Sequence, residues 1–359
     1  MNILTLTMDF LPMSGGLARF ADSLARVFAN DMTVIADVEA PALECRAVQK
    51  HTPYCLRYQS FMRPGFPRWR GAFGVLRKER PDMVVVHHVL PLGFVARVFR
   101  KVTGTPYIVC LHGMDFATAV RRPWKRWLLR RVLRGAHTVV ANSQFLASAV
   151  HAQTGKTAIV CYPTPWIRPE SLVTRERTGG HVVLTSVARL VERKGIQRVL
   201  RALANMPDMH DTIRYHIAGV GPYAAEIRAL ISKHHLSHVV SLTENDSQEC
   251  LTHAYAQADV FVLPTLSSDG DREGFGIVYL EAALFGAPSI ASWEPGVDEA
   301  VLDGETGVLV SDDTELERAM RRLVGDGVLR KTLGDAARER AKHFTPEIQF
   351  QELKKRLYD

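Results

Sequence analysis

The chain alternates short apolar runs with longer stretches in which apolar residues recur every three or four positions. The short runs are typical of buried strands, and the longer stretches are typical of helices packed against them. Predicted strands cover Asn2–Thr7, Met32–Ala36, Asp82–His88, Pro106–His112, Thr138–Ser143, His181–Ala188, Ile213–Val220, Val239–Thr243, Val260–Leu263 and Ala287–Ala291. Predicted helices cover Leu17–Phe28, Ile196–Ala204, Tyr223–His234, Ser247–Ala258 and Ile277–Phe285. This regular alternation predicts the α/β class.

Two domains are expected, because 359 residues exceed what one hydrophobic core normally organises. The break between them falls at Cys161–Glu170, where three prolines interrupt the periodicity, and it continues through Thr174–Gly180. The predicted domains are therefore residues 1–165 and 178–344. Residues 39–75 show no clear period and predict a long irregular loop.

Two glutamates, Glu273 and Glu281, bracket the most informative stretch, which lies between a predicted strand and a predicted helix. Gly274, Phe275 and Gly276 mark the start of that helix, where unpaired N–H groups and the helix dipole favour anions. Glycines also allow a ligand to approach the backbone closely. The stretch predicts a phosphate-bearing ligand whose hydroxyl groups bind the carboxylates. An ordinary capped helix with solvated glutamates is the alternative.

Two cations, Arg189 and Lys194, follow the first predicted strand of the second domain and precede its helix. Loop cations at a helix start suit a diphosphate, because arginine offers a fork of donors and lysine a point charge. Solvated surface charge is the alternative for this pair.

A glycine pair, Gly15 and Gly16, joins the first predicted strand to its helix. The loop lacks the Gly-x-Gly-x-x-Gly spacing of a dinucleotide fingerprint, so NAD binding is disfavoured. A tight turn that requires positive φ is one interpretation of the pair.

Histidines end two buried strands of the first domain, at His87, His88 and His112, and Asp115 follows closely. In open α/β sheets, ligands bind beyond the carboxyl ends of the strands, so these side chains are candidates for ligand contact. Structural histidines are the alternative, and we favour a ligand role for His112. Three histidines could in principle bind a metal ion, but their spacing is not diagnostic.

The cysteine content and the apolar segments indicate in which cellular compartment the protein is expected. The five cysteines are odd in number and lack a Cys-x-x-Cys pair, which argues for a reducing compartment and against disulfides or structural zinc. The N-terminus does not resemble a signal peptide, and no window reaches the roughly 18 apolar residues of a membrane span. We therefore expect a cytoplasmic protein.

Charge is distributed unevenly along this chain of net charge +7. The first 170 residues hold 23 lysines and arginines against 10 acidic residues, whereas residues 171–359 hold 22 against 28. In the most basic segment, Arg121–Arg134, the residues Trp124, Trp127 and Val132 recur at helical spacing. Such a helix can lie on an anionic bilayer, or its apolar stripe can pack on the sheet. No nucleic-acid-binding module accompanies the charge, so nucleic acid is not an expected partner.

The stretch from Glu273 to Glu281, with Gly-Phe-Gly after the first glutamate, resembles the Glu-x7-Glu motif of retaining glycosyltransferases of family GT4. The resemblance extends over nearly the whole chain. It implies the GT-B architecture, in which two Rossmann-like domains face each other across a cleft. It also implies that the C-terminal helix, residues 345–359, packs back on the first domain.

Two more motifs share this resemblance, and each departs from the family pattern at one position. The run from Arg189 to Lys194 resembles the family's Gly-Arg-Leu-x-x-x-Lys-Gly motif, with Ala188 in place of the first glycine. Pro295-Gly296 stands where the family has a Gly-Gly pair, which leaves the sugar contact of that loop less defined.

The resemblance implies a role for each candidate residue. Arg189 and Lys194, with the amides around Gly274, Phe275 and Gly276, would bind the diphosphate of a nucleotide sugar. Glu281 would hold the ribose hydroxyls. The sugar contacts would come from Glu273 and His112. Gly15 and Gly16 would border the phosphates. No cofactor and no metal ion are expected, because the cations neutralise the diphosphate.

The implied reaction is retaining transfer of a hexosyl residue to a lipid-linked or cell-surface glycan. The basic first half would meet this acceptor, with Arg63–Arg70 as a candidate contact and solvent exposure as its alternative. The Arg121–Arg134 segment would attach the protein to the inner face of the membrane. One alternative is a GT-B epimerase or hydrolase of sugar nucleotides, which would act on the donor without an acceptor. A non-catalytic nucleotide-sugar-binding protein is the other.

Overall fold

The computed structural model describes residues 1–12, 15–38, 42–61, 69–167, 180–267 and 273–358. The chain forms two compact units, Met1–Thr164 together with Thr345–Asp359, and Pro165–Phe344. Each unit contains a fully parallel sheet with helices packed against it. The predicted α/β class, with two Rossmann-like folds, is confirmed.

The first unit contains a seven-stranded sheet in the order β3-β2-β1-β4-β5-β6-β7. Its strands are β1 (Ile3–Thr7), β2 (Met32–Ala36), β3 (Cys55–Tyr58), β4 (Met83–Val86), β5 (Tyr107–Leu111), β6 (Thr138–Ala141) and β7 (Ile159–Val160). In the register, Thr5 of β1 pairs with Val34 on one side and Val85 on the other. Because the strand order reverses between β1 and β4, the loops after them diverge at the carboxyl edge of the sheet.

Helices cover the faces of this first sheet. They are α1 (Gly16–Val27), α2 (Ala42–Lys50), α3 (Trp69–Glu79), α4 (Leu92–Thr103), α5 (Met114–Arg121), α6 (Pro123–Gly135) and α7 (Gln144–Thr154). Helix α7 is capped as expected for a serine N-cap, with Ser143 Oγ accepting from the Leu146 amide at 3.1 Å.

The prediction of an irregular loop over residues 39–75 is wrong, because α2, β3 and part of α3 lie there. The hydrophobic periodicity of α2 and β3 is weak because each of these elements buries few residues. Helix α2 buries only Cys45, and the edge strand β3 buries only Leu56. The candidate contact at Arg63–Arg70 falls almost entirely outside the described residues.

The second unit contains a six-stranded sheet in the order β10-β9-β8-β11-β12-β13. Its strands are β8 (Val182–Val187), β9 (Ile213–Ala218), β10 (Val240–Thr243), β11 (Val260–Leu263), β12 (Ser289–Ser292) and β13 (Gly307–Val310). Its helices are α8 (Ile196–Ala204), α9 (Ala224–Lys233), α10 (Gln248–Gln257), α11 (Ile277–Leu284), α12 (Val297–Ala300), α13 (Asp313–Gly325) and α14 (Gly327–Ala341). The apolar faces of these elements form a core separate from the cores of the first unit.

The end of the chain returns to the first unit as α15 (Pro346–Gln349) and α16 (Gln351–Tyr358). Phe350 and Leu353 are fully buried there. The ring of Phe350 lies 5.2 Å from the ring of Phe20 of α1, in an edge-to-face arrangement. These contacts make the returning segment part of the first unit's core.

Candidate functional site

Three loops of the second unit meet backbone to backbone at the carboxyl end of its sheet. They follow β8, β11 and β12, which are neighbours in the sheet. Gly195 has a φ of +73°, and a Cβ built there would lie 1.9 Å from the carbonyl oxygen of Pro264. Gly296 has a φ of +97°, and its Cβ would lie 2.3 Å from the carbonyl oxygen of Gly274. Glycine at both places therefore allows the loops to form one surface.

Glu273 lies on this surface and binds two cations through a single oxygen. Its Oε2 accepts from Lys194 Nζ at 2.5 Å and from Arg193 Nη1 at 2.9 Å. The three side chains are 15%, 12% and 15% exposed for Glu273, Lys194 and Arg193. Burial raises the pKa of Glu273, but the Lys194 and Arg193 charges outweigh it and lower the pKa to about 2. The carboxylate is therefore ionised at neutral pH.

The two predicted diphosphate cations, Arg189 and Lys194, have different surroundings in the structure. Lys194 lies in a 3-10 turn, Glu192–Lys194, and binds Glu273. Arg189 is exposed, and its side chain makes no hydrogen bond or ion pair to any described residue. The sequence prediction missed Arg193. Its position directly before Lys194 is a usable signal, because neighbouring residues of a tight turn can reach the same carboxylate.

The glycine turn after Glu273 joins the loop to helix α11. Phe275 is buried, with its ring 5.9 Å from the ring of Phe344. Gly276 is the N-cap of α11 with a φ of +85°, and no side chain of the described residues caps this helix. The first-turn amides of α11 are therefore left to backbone, water or ligand.

Glu281 lies inside α11 and is 2% exposed. Its Oε1 accepts from the amide of Trp166 at 3.2 Å, and its Oε2 accepts from the hydroxyl of Tyr255 at 2.7 Å. The two glutamates of the motif thus have different surroundings. Glu273 binds cations near the surface, and Glu281 binds neutral donors inside the unit.

Glu294, two residues beyond β12, is a buried carboxylate that the sequence prediction did not select. Its Oε1 accepts from Thr265 Oγ1 at 3.2 Å, whereas its buried Oε2 has no partner among the described residues. Burial, Glu273 and Glu294 all raise the pKa of Tyr279, whose hydroxyl donates to the Leu263 carbonyl at 2.7 Å. The position of Glu294 just after a predicted strand could have identified it from the sequence, because side chains at that position line the carboxyl edge of the sheet.

In the first unit, His112 follows β5 and contacts His87 at the end of β4. Their rings are 5.6 Å apart and stacked, with His87 Nδ1 3.4 Å from His112 Nε2. Burial lowers the pKa of His87 to about 3, with His88 adding to the effect. Burial also lowers the pKa of His112 well below its usual value, aided by His87 and His88 and opposed by Asp9. Both rings are neutral at pH 7.

The backbone around His112 is held by a polar side chain from the first turn of α5 and by another directly after β6. Asp115 Oδ1 accepts from the His112 amide at 3.1 Å, and Asn142 Nδ2 donates to the His112 carbonyl at 3.3 Å. Nearby, His88 Nε2 lies 3.1 Å from Asp9 Oδ2. The predicted histidines and Asp115 therefore do gather at the carboxyl ends of β1, β4 and β5.

Gly15 and Gly16 open helix α1, but not through a turn of positive φ. Gly15 is extended, with a φ of 170°, and its carbonyl accepts from the Arg19 amide at 3.1 Å. A Cβ at either glycine would have no described heavy atom within 4 Å beyond its immediate neighbours. Neither backbone conformation nor packing within the described residues requires glycine here. The alternative of a tight turn with positive φ is wrong.

The three histidines His87, His88 and His112 do not form a metal-binding cluster with other described side chains. Across the described ranges, no group of three or more His, Cys, Asp or Glu side chains is arranged to hold a metal ion. The histidine contacts observed are with each other, with Asp9 and with the ring of Phe20, which lies 5.0 Å from His112.

Two family models match the chain in succession. The model described as Glycosyltransferase Family 4 matches residues 14–164, and the model described as Glycosyl transferases group 1 matches residues 170–340. Together they cover most of the chain. The chain belongs to glycosyltransferase family 4.

Full-length relatives and solved structures agree with this family assignment. The GDP-mannose-dependent alpha-(1-6)-phosphatidylinositol monomannoside mannosyltransferase of Mycolicibacterium smegmatis is 28% identical, over 90% of this chain and 88% of its own. The GDP-mannose-dependent monoacylated alpha-(1-6)-phosphatidylinositol monomannoside mannosyltransferase of Corynebacterium glutamicum is 26% identical, over 93% of this chain and 92% of its own. Anabaena HepE, solved with UDP and glucose, has a TM-score of 0.81 at 19% identity and full coverage of both chains. Sucrose-phosphate synthase from Thermosynechococcus elongatus has a TM-score of 0.80 at 19% identity, over 100% of this chain and 99% of its own. The fold of this glycosyltransferase is therefore GT-B.

The basic segment of this family GT4 glycosyltransferase forms the predicted helix, α6, from Pro123 onward, directly after the separate helix α5. Helix α5 ends at Arg121 and α6 begins at Pro123, because proline suits the first turn of a helix and disfavours continuation of the preceding one. Helix α6 packs on the core through Leu129, Val132 and Leu133.

The tryptophans of α6 face away from that core. Trp124 is 60% exposed and Trp127 is 56% exposed. The guanidinium of Arg131 lies 4.4 Å from the Trp127 ring centroid, and Lys125 Nζ lies 5.5 Å from that of Trp124. None of the helices described in this glycosyltransferase is long and apolar enough to cross a bilayer.

Proposed function

We propose that this glycosyltransferase moves a mannosyl residue from GDP-mannose to a hydroxyl group of a membrane lipid-linked glycan, with retention of configuration. The donor and the acceptor class are taken from the two mannosyltransferase relatives, which cover most of the chain. The observation that carries the proposal is the ionised Glu273 beside Lys194 and Arg193, at the glycine-lined edge of the second sheet. Such a carboxylate accepts hydrogen bonds from sugar hydroxyls, and such cations bind a diphosphate.

Each candidate residue has a role in this proposal. Lys194 and Arg189 neutralise the charge that develops on the leaving diphosphate, together with the first-turn amides of α11. Glu273 holds sugar hydroxyls. Glu281 accepts hydrogen bonds from the ribose hydroxyls, the role that the family resemblance implies for it. His112 contacts the sugar as a neutral ring.

We assign no protein side chain as the base. The acceptor oxygen forms its bond to the anomeric carbon while the bond from that carbon to the diphosphate oxygen breaks. The acceptor proton passes to the departing diphosphate on the same face of the sugar. No metal ion is included, because the protein cations supply the neutralising charge. Undiminished transfer in excess EDTA is expected, and loss of transfer restored by added Mg²⁺ would contradict this part.

The deciding experiment is transfer from labelled GDP-mannose to phosphatidylinositol monomannoside in mixed vesicles. Label is expected in the lipid phase, and NMR of the product is expected to show the α-anomer. Thermal stabilisation by GDP-, UDP- and ADP-sugars identifies the donor independently, since a ligand of the native state raises apparent stability. Absence of both stabilisation and transfer with every donor would refute the proposal.

An epimerase or hydrolase of sugar nucleotides is the alternative activity. It would convert GDP-mannose in the absence of acceptor as fast as in its presence. Binding without any turnover would instead indicate a non-catalytic nucleotide-sugar-binding protein. The same reaction mixtures, analysed with and without the lipid, separate these outcomes from transfer.

A further inference from the structure

Arg193 and Lys194 share one oxygen atom of Glu273. Both donate to Oε2, at 2.9 Å and 2.5 Å, while Oε1 receives no hydrogen bond from a described residue. The carboxylate and both cations are mostly shielded from water. One oxygen is thus saturated with positive charge and the other is left for a ligand.

The proposed function gives Lys194 two tasks. In the structure its ammonium binds Glu273, and in the reaction it must serve the diphosphate. A bound diphosphate also brings negative charge close to a shielded carboxylate, and like charge and desolvation both favour protonation of such a group. A protonated Glu273 would lose the charge with which it accepts from sugar hydroxyls.

Arg193 is suited to prevent that protonation. Its guanidinium keeps its charge at every physiological pH, and its planar fork holds a fixed geometry. Its backbone is anchored as well, because its carbonyl accepts from the Leu266 amide at 2.7 Å. The anchor ties the Arg193 turn to the segment that follows β11.

We propose that Arg193 is a positioning residue, which keeps Glu273 ionised and oriented while Lys194 turns to the donor diphosphate. The inference rests on the proposed function and deepens it. Arg193 contacts neither the nucleotide nor the acceptor in this account, and it acts on the donor sugar only through Glu273.

The other charged and titratable groups around Glu273 do not replace Arg193. From helix α11, Tyr279 faces Glu273, and burial together with Glu273 and Glu294 raises its pKa, so it stays neutral. Glu294, from beyond β12, carries a carboxyl group and cannot supply positive charge. Among the described residues, Arg193 and Lys194 are the cations bonded to Glu273. Asp271 and Arg272 precede Glu273 outside the described residues.

Proton uptake on binding of GDP-mannose tests the inference, measured by calorimetry in two buffers of different ionisation enthalpy. The Arg193→Gln variant is expected to take up more protons per donor than the wild type at about pH 6, because Glu273 then lacks its second cation. Arg193→Lys keeps the charge without the fork and is expected to be intermediate. The double variant Arg193→Gln with Glu273→Gln is expected to show no extra uptake.

Kinetics provide a second readout that a purely structural role would not change. For Arg193→Gln at pH values below the new pKa of Glu273, kcat/KM is expected to rise about tenfold for each unit of increasing pH. The wild type is expected to show no such rise between about pH 5 and pH 7. Arg193→Met, which keeps the apolar part of the side chain, replaces the glutamine variant if that variant does not fold. The same rise of kcat/KM with pH is expected.

The outcomes are distinguishable. Wild-type protein that binds neither GDP-mannose nor UDP-glucose contradicts the proposed function, and this inference with it. Wild-type binding and turnover, with proton uptake and pH profile unchanged in the folded Arg193 variants, overturns the positioning role and leaves the proposed function standing.

Discussion

Glu273 and Glu281 carry the same functional group eight positions apart, yet their surroundings give them different chemistry. Glu273 faces Lys194 and Arg193, so its charge is stabilised although it is largely buried. Glu281 accepts from an amide and a phenol, which hold its orientation without adding positive charge.

The lowered pKa of Glu273 predicts a stability contribution that depends on pH. The pKa is 4.5 in an exposed side chain and about 2 in the folded protein. Because the folded pKa is the lower one, Glu273 stabilises the fold fully above its unfolded pKa, and the contribution is lost as pH falls towards the folded pKa. The free energy of urea unfolding should therefore differ between wild type and Glu273→Gln by a gap that narrows below about pH 4.5. A gap that stays constant down to about pH 3 would contradict this prediction.

Replacing Arg189 and Lys194 together by alanine is expected to slow turnover at saturating donor by about 100-fold or more, because the leaving diphosphate loses both neutralising cations. The measurement is kcat with GDP-mannose in excess. Arg201→Ala is the matched control, since Arg201 is an exposed arginine on the nearby helix α8. Unchanged kcat in the double variant would show that the diphosphate is bound elsewhere.

For individual residues, the sequence predicted which residues gather at the site better than it predicted their contacts. The spacing of Arg189, Lys194 and Glu273 predicts a polar loop cluster, and the loops carrying them do meet. It does not reveal that Arg193 shares Oε2 with Lys194, because which of two adjacent cations faces a carboxylate depends on the turn that carries them. Nor does it reveal that Glu281 binds Tyr255, a contact set by the packing of α10 against α11.

The elements of the second unit hold the site through glycine contacts between loops. Gly195 allows the segment between β8 and α8 to touch the end of β11 at Pro264. The contact brings the 3-10 turn of Lys194 close enough to bind Glu273. The loops are thus positioned by backbone packing, and the charged side chains are positioned by the loops.

Gly195→Ala is expected to cost at least about 3 kcal/mol, because the new Cβ meets the Pro264 carbonyl in a residue of positive φ. Gly104→Ala is the control, since Gly104 has a φ of +83° with no described atom within 4 Å of its Cβ position. The control should cost only about 1 kcal/mol, the price of the backbone conformation alone. Equal losses in urea unfolding would show that the close approach is not a constraint.

Helix α6 predicts a measurable membrane interaction. Trp124→Ala with Trp127→Ala is expected to weaken binding to vesicles of anionic lipid at least about tenfold, since both exposed rings would enter the interface. Wild-type binding should decrease with salt, because arginines of the same segment face the lipid charge. Val102→Ala is the control, an exposed apolar residue of α4 in the same unit. Sedimentation that is independent of lipid charge, salt and both tryptophans would contradict the prediction.

Elements with a strong hydrophobic period were predicted well, and those without it were not. Strand β2 and helix α8 have the predicted bounds, because each has a clearly apolar face or run. The region from α2 to α3 was predicted as irregular, since α2 and β3 bury too few residues to produce a period. The helix predicted over the basic segment Arg121–Arg134 is confirmed as α6, Pro123–Gly135.

For the whole molecule, the main feature is that the chain crosses between units twice. Residues up to Thr164 build the first unit, Pro165–Phe344 build the second, and the remaining residues complete the first. The stability of the first unit therefore depends on side chains from the end of the chain, such as Phe350, which belongs to its core.

Phe350→Ala is expected to destabilise the first unit by about 3–5 kcal/mol, the usual cost of removing a fully buried aromatic side chain. Ile348→Ala, from the exposed side of the same returning segment, should change stability by less than about 0.5 kcal/mol. If the two units unfold in separate calorimetric transitions, only one should shift in the Phe350 variant. Equal effects of the two substitutions would show that the returning segment is not part of the core.

Because α15 and α16 belong to the first unit, that unit is synthesised in two parts, with the second unit made in between. Ribosomes add roughly 5–20 residues per second, so about 10 to 40 s separate the emergence of Thr164 from that of Thr345. During that interval Phe20 lacks its contact with the ring of Phe350, while by its end every residue of the second unit's core has been synthesised. The core of the first unit is therefore still incomplete after the second unit has been synthesised. Residues 345–359 supply the side chains, Phe350 and Leu353 among them, that complete this core.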